Sequence, residues 1–208
     1  MRALFTLRAL FSLRALCLIA ACFMAGCSSQ SMIQSSSTGS WQDHKLQVGQ
    51  FDQWQLQGKL GFKNASQGGS ANLKWLQNQQ YYKLYLSGPL GAGSAVIEGD
   101  ETLAKMRQGS QTFSDSPEFL ALKLTGLAIP VDALSWWARG LPSPSKTAIS
   151  NLITGPTGTA ASFEQAGWQL SFSRYSQNQG IALPGKITGQ LGDQSFKLVI
   201  SGWSVPDN

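Results

Sequence analysis

Between Trp54 and Phe62 the chain alternates. Trp54, Leu56, Gly58, Leu60 and Phe62 are apolar or small, while Gln55, Gln57 and Lys59 between them are polar. A period of two is the repeat of a strand that turns one face to a dry interior. Beyond a turn at Asn64 to Gly69, Ala71, Leu73 and Trp75 mark one face of the next strand. Beyond another at Gln77 to Gln80, Tyr82, Leu84 and Leu86 do the same. Val96 and Ile97 follow, then a strand around Thr102 to Arg107. Towards the C-terminus Trp168, Leu170 and Phe172 share a face. Ile187 to Leu191 with Phe196, Leu198 and Ile200 predict a closing hairpin around Gly192-Asp193. Short strands separated by brief turns predict an antiparallel meander.

Helical spacing appears before the first strand and once inside the meander. Ser40 is a good N-cap with Asp43 in a capping-box position, and Trp41, Val48 and Phe51 can share one face of a short helix over 41–51. Ser116-Pro117 is an N-cap followed by proline at the first helical position, and Gly126 stands where a C-terminal cap belongs. Pro130 and Gly140 bracket a further helix, with Val131, Leu134, Trp137 and Leu141 at near-helical spacing. A polar excursion from Pro142 to Thr159 then returns to strand. The two inserted helices must bury their apolar faces, and the sheet is the available partner. A mainly β fold follows, with a strongly curved antiparallel sheet and helices on its concave side. That sheet either fills itself or encloses an apolar pocket, and Gly58, Gly61 and Gly99 favour the bending and unfilled space of a pocket.

The N-terminus changes the picture of where the domain works. Arg2, Arg8 and Arg14 precede an uncharged stretch from Ala15 that ends in Met24-Ala25-Gly26-Cys27. This is the pattern of a lipoprotein signal peptide, in which the cysteine is acylated and becomes the first residue. Cys22, after Ile19-Ala20-Ala21, is the other candidate. Cys27 is favoured because it leaves a longer apolar core and is followed at once by a polar tether. The uncharged stretch is too short for a permanent transmembrane helix. The predicted organisation is a signal peptide at 1–26, an acylated Cys27 with a Ser-rich tether to residue 40, and one domain over 41–208. The seven serines of residues 28–40 give that tether a root-mean-square reach of roughly 20 Å.

Removing the signal takes 3 of the 16 basic residues and none of the 11 acidic ones, so a formal charge of +5 falls to 13 against 11, or +2. Nucleic acid is therefore a poor partner. All three cysteines lie at or before Cys27, which excludes disulfides and cysteine-ligated metals from the domain. With His44 the only histidine, expected at the surface or as a cap, nucleophilic triads and histidine-rich metal sites cannot be assembled. No cofactor, catalytic or metal site is predicted. Glu98, Asp100 and Glu101 read as solvated charge at a strand end. Gly88-Pro89-Leu90-Gly91-Ala92-Gly93 lacks the lysine and helix of a phosphate cradle and reads as a turn, with Leu90 at its tip.

Several of these segments occur in a familiar order. Trp41-x-x-His44, Leu86-Ser87-Gly88-Pro89-Leu90-Gly91, Leu124-Thr125-Gly126 with Ile129-Pro130, Trp137 with Gly140-Leu141-Pro142, and a terminal hairpin ending at Trp203 together resemble the LolB family of outer-membrane lipoprotein receptors. The resemblance runs from about Trp41 to Trp203. It implies an incomplete, open β-barrel with short α-helices forming a lid over an apolar cavity, as in the soluble periplasmic carrier LolA. It also implies receipt of triacylated lipoproteins from that carrier and their insertion into the inner leaflet of the outer membrane without ATP. The protein would be a monomer anchored through Cys27 to the periplasmic face. By this resemblance Leu90 is the membrane-insertion residue. Leu56, Leu60, Trp75, Leu84, Leu86 and Ile97 from the sheet and Leu120, Leu124, Leu134 and Trp137 from the lid are expected to face acyl chains. Two other classes stay open. A structural or assembly lipoprotein of the envelope would have a filled core, and an envelope glycan hydrolase would have a polar groove containing Glu98 or Glu118.

Overall fold

The first and last strands meet in the middle of the sheet. In the computed structural model, which describes residues 39–88 and 93–204, β1 (Gln53–Lys63) pairs with β13 (Gln194–Ser204) on one side and β2 (Gly68–Asn78) on the other. Outward from β1 the meander continues through β2, β3 (Tyr81–Ser87), β4 (Ser94–Gly99), β5 (Ala104–Gln108) and β6 (Gln111–Asp115). Outward from β13 lie β12 (Lys186–Leu191), β9 (Trp168–Ser173), β8 (Ala160–Gln165) and β7 (Ser150–Thr154). The result is one 11-stranded antiparallel sheet whose edge strands, β6 and β7, are not hydrogen-bonded to each other. It is an open barrel. A two-stranded hairpin of β10 (Ser176–Asn178) and β11 (Ile181–Leu183) stands apart from it.

The chain passes from one sheet edge to the other through α2 (Pro117–Thr125) and α3 (Val131–Ala138). Ser116 Oγ accepts from the Phe119 amide at 3.3 Å, Pro117 occupies the first turn, and Gly126 closes α2 with φ of 72° and a hydrogen bond to the Leu122 carbonyl. That left-handed cap is open to glycine at little cost, which is why the helix stops there. Both helices fall where the sequence places them. The first helix, α1 (Trp41–Gly49), ends two residues sooner than its apolar spacing suggests, because the Phe51 amide turns back to the Val48 carbonyl. Ser40 caps it by accepting from the Asp43 amide, and its hydroxyl donates to the Asp43 carboxylate at 2.7 Å.

Alternation sets which side of the sheet is dry. Leu56, Trp75, Met106, Phe163, Trp168, Leu170, Ile187 and Leu198 point inward and are essentially inaccessible. The α2 and α3 faces carrying Leu120 and Trp137 complete this core. A smaller cluster of Val48, Leu141, Ile181 and Leu183 packs α1 against the β10–β11 hairpin, so α1 is not part of the lid. At Gly58 the β1–β13 register shifts, and a Cβ there would run into the Val199 carbonyl. The glycine marks a bulge, the device that bends a long strand.

Four features depart from the sequence reading. The Pro142–Thr159 excursion contains β7, and β6, β8 and the β10–β11 hairpin have no counterpart among the predicted strands. β6 and β7 are the sheet edges. Their sequences, QTFSD and SNLIT, are polar because an edge has one neighbour and a wet flank, so neither shows the alternation by which strands are recognised.

Candidate functional site

Under α2 and α3 the two layers do not close completely. A cavity of about 60 Å³ remains, floored by Leu60, Leu73, Trp75, Leu84, Leu86, Ile97, Phe196 and Leu198 and roofed by Ala121, Leu124, Ile129, Val131 and Leu134. Every strand residue in this lining comes from the inward set of β1, β2, β3, β4 or β13, so strand alternation itself aims the side chains at the space. Of the residues expected to face acyl chains, Leu60, Trp75, Leu84, Leu86, Ile97, Leu124 and Leu134 line the cavity. Leu56, Leu120 and Trp137 do not. They are fully buried in the filled core beneath and beside it, at 0% exposure each, because their neighbours leave no gap there. Leu73, Ile129, Val131, Phe196 and Leu198 also line the space and are absent from the sequence-based set. Register would have found the strand residues among them, since Leu73 faces Leu86 across the β2–β3 ladder and Phe196 and Leu198 face Phe62 and Leu60 across the β1–β13 ladder.

The lining is electrostatically quiet. Thr125 Oγ1 donates to the Ala121 carbonyl at 2.7 Å and accepts from the Leu127 amide, so its polarity is satisfied by α2 and the turn that follows it. Tyr82 alone brings an unspent polar group, with a buried hydroxyl that has no hydrogen-bond partner. Burial pushes its phenol up from the ordinary range, with smaller contributions from Glu118, Asp100 and Tyr81. No carboxylate is among the lining residues. Glu98 projects from the opposite face of the sheet, bound by Lys83 at 2.9 Å and Arg107 at 2.6 Å, and their hydrogen bonds hold its carboxyl below the usual range. Asp100 is turned into its own loop, accepting from the Thr102 amide and hydroxyl and the Leu103 amide. Among the described residues no cluster of metal-ligating side chains occurs.

Two buried polar side chains that the sequence did not single out, Gln165 and Arg139, hold the lid and its surroundings in place. Gln165 uses its whole amide: Oε1 accepts from Trp137 Nε1 at 2.8 Å and the Ser143 amide at 2.9 Å, and Nε2 donates to the Ser143 and Thr147 carbonyls. Arg139 stacks on Trp136, 4.5 Å from the ring centroid, and donates to the Val48 and Phe51 carbonyls, which ties the end of α3 to the end of α1. Its burial lowers the guanidinium to about 10, still charged at neutral pH. His44 is buried rather than at the surface, at 5% exposure, edge-on to Tyr175, and the same desolvation lowers its pKa. Cys27 and Leu90 lie outside the described residues.

Fold and site together define an open-barrel domain with a helix-covered apolar interior. Solved structures with the same fold are a LolA superfamily protein of Nitrosomonas europaea, with a TM-score of 0.54 at 10% identity over 81% of this chain and 94% of that one, and a DUF1329 family protein of Desulfovibrio piger, with a TM-score of 0.55 at 8% identity over 79% and 91%. Residues 52–203 match the family model described as outer membrane lipoprotein LolB. Proteins named outer-membrane lipoprotein LolB from Ectopseudomonas mendocina and Pseudomonas fluorescens are 38% and 40% identical, each over 89% of this chain and 91% and 90% of their own length. One from Cellvibrio japonicus is 37% identical over 90% and 94%. The chain belongs to the LolB family of outer-membrane lipoproteins, and its role lies in lipoprotein localisation, not in catalysis.

Proposed function

We propose that the domain accepts lipoproteins from the soluble carrier LolA and passes their acyl chains to the inner leaflet of the outer membrane without ATP. The supporting observation is the apolar cavity under α2 and α3, whose lining carries no charged group. Each methylene taken out of water is worth about 0.8 kcal/mol, so a long acyl chain disfavours water by about 10 kcal/mol and must be carried under cover. A protein cavity supplies that cover while remaining a poorer solvent than a bilayer, because lodging the chain displaces helix–sheet contacts. Transfer from carrier to receptor to membrane then runs downhill.

The cavity as it stands has room for only a few water-sized groups. Acceptance of a chain therefore requires α2 and α3 to part from the sheet. They are suited to it, being 9 and 8 residues long and held mainly by their apolar faces. In this reading Leu60, Trp75, Leu84, Leu86, Ile97, Leu124 and Leu134 meet the cargo, and Leu56, Leu120 and Trp137 are the firm core behind them. Cys27, freed by removal of residues 1–26, carries the anchor at the end of the tether, and Leu90 enters the acyl region at delivery. The protein acts as a monomer.

The test is transfer of a radiolabelled lipoprotein from its carrier complex to liposomes, with no nucleotide present. Wild type is expected to transfer, Leu134→Asp to lose acceptance, and Leu90→Glu to accept cargo yet fail to deliver it, since a charged tip is costly among acyl chains. Unimpaired crosslinking of cargo to Leu134→Asp would remove the cavity from the pathway.

A further inference from the structure

The outward face of the sheet carries a charge pattern unlike the rest of the domain. The register places Lys59 and Lys63 on β1, Lys74 on β2, Lys197 on β13 and Lys186 on β12 on that one face. Lys74 stands opposite Gln57, Lys197 opposite Gly61, and Lys186 opposite Val199, which itself faces Lys59. Four are exposed and Lys186 is half-buried. Strand geometry confines all five to a patch of about 20 Å by 15 Å. No carboxylate projects from these four strands on this face, the nearest along the chain being Asp193 in the β12–β13 turn. None of the five has an ion pair among the described residues. By contrast Asp43 lies on α1, Asp52, Asp100 and Glu101 lie in loops, Asp115 ends the edge strand β6 and Glu118 starts α2. Between Lys63 and Lys197 the patch also holds a shallow depression of about 560 Å³ lined by Thr188, Gln190 and Ser195, which supplies neutral hydrogen-bonding groups beside the cations.

We propose that this lysine face is a docking surface for anionic phospholipid headgroups, which holds the anchored domain with its sheet against the membrane and its helices turned away. Two observations select a membrane. The charge is spread over a broad face, with spacings comparable to the Debye length of about 8 Å, so it matches a surface of many phosphates better than one compact ligand. The chain also reaches the domain at residue 39, so a lipid on Cys27 keeps the domain within a fully extended tether length of about 45 Å of a bilayer. The pose presents α2, α3 and the cavity roof to the aqueous side, where cargo arrives. It rests on the lipid anchor, and needs nothing of acyl-chain transfer.

The experiment uses the mature acylated chain on vesicles of phosphatidylcholine alone and of phosphatidylcholine mixed with phosphatidylglycerol. A water-soluble amine reagent labels lysines, and mass spectrometry reads each rate, with Lys45 and Lys123 on the helices as internal references. Acylation of Cys27 is read from the same digest, so a missing anchor is seen as such. Expected on anionic vesicles is at least fivefold slower labelling of Lys59, Lys63, Lys74, Lys186 and Lys197 relative to the references, lost in molar salt where the Debye length falls to about 3 Å. Each lysine near an anionic leaflet shifts the docked-to-free ratio about fivefold, so Lys59→Gln with Lys63→Gln and Lys197→Gln lowers it about a hundredfold. Labelling of Lys74 and Lys186 then returns to the rate on neutral vesicles. Equal rates on the two kinds of vesicle, or protection produced only by adding the carrier protein, would overturn the proposal.

Discussion

The cavity can be filled from the lid, and doing so separates stability from function. Ala121 lines the space from α2, and Ala121→Leu adds three carbon atoms at a position where both residues are strong helix formers. At about 0.8 kcal/mol per buried carbon the gain approaches 2.4 kcal/mol, and side-chain ordering returns about 0.5–1 kcal/mol of it. The 60 Å³ of open space leaves room for the new atoms without moving the floor. The expected stabilisation is about 1.5 kcal/mol, which for a domain of this size raises Tm by roughly 3–6 °C. Thermal unfolding of the mature chain measures the first quantity, and carrier-to-liposome transfer measures the second. The variant should be more stable and transfer less, because the leucine occupies the place of the cargo. A fall in stability of 1–3 kcal/mol, the usual cost of overpacking, would show that the space is not there. A raised Tm with unchanged transfer would show that cargo takes another path.

Further outcomes follow from the buried polar groups. Tyr82→Phe removes a hydroxyl with no partner and should leave stability unchanged or raise it by about 1 kcal/mol, whereas a loss of that size in denaturant titration would reveal a partner for the hydroxyl. Gln165→Met strands the Trp137 indole, the Ser143 amide and two carbonyls. It should cost about 3–5 kcal/mol, read as a Tm lower by roughly 6–20 °C. For His44 the folded pKa is lowered below the unfolded value of 6.5, so the unfolded chain binds the proton more readily. Its contribution is intact above pH 6.5 and is lost as pH falls below it, at up to about 1.4 kcal/mol per pH unit. His44→Phe should flatten the stability profile between pH 6.5 and 5, and an unaltered slope there would reject this assignment.

What the sequence disclosed and what it hid have a common cause. Strands with one wet and one dry face announce themselves, so β1, β2, β3, β9 and β13 are legible from alternation, and α2 and α3 from Ser116-Pro117, Gly126, Pro130 and Gly140. The edge strands β6 and β7 are polar for the reason that they are edges. Cavity lining was half legible: inwardness follows from period two, but whether an inward residue meets a gap or a neighbour depends on layers far apart in the chain. Leu60 borders the space and Leu56, two repeats earlier on the same face, is sealed at 0% exposure. Gln165 and Arg139 looked like ordinary polar residues because their partners, at positions 143 to 147 and 48 to 51, are set by tertiary folding alone.

The pairing of β1 with β13 also has a consequence for how the domain comes into being. The sheet's central ladder joins residues near 58 to residues near 200, so its two halves are separate meanders until the final segment of the chain is available. Contacts of such long sequence separation make for slow folding, since loop closure must be achieved before they contribute. A chain made from its N-terminus can form β2 to β6 locally, but it cannot seal its interior before residues 194–204 emerge. The last strand thus works as a latch, and until it closes, the β1 edge and the surfaces that will become the cavity floor stay open to chaperones or to other chains.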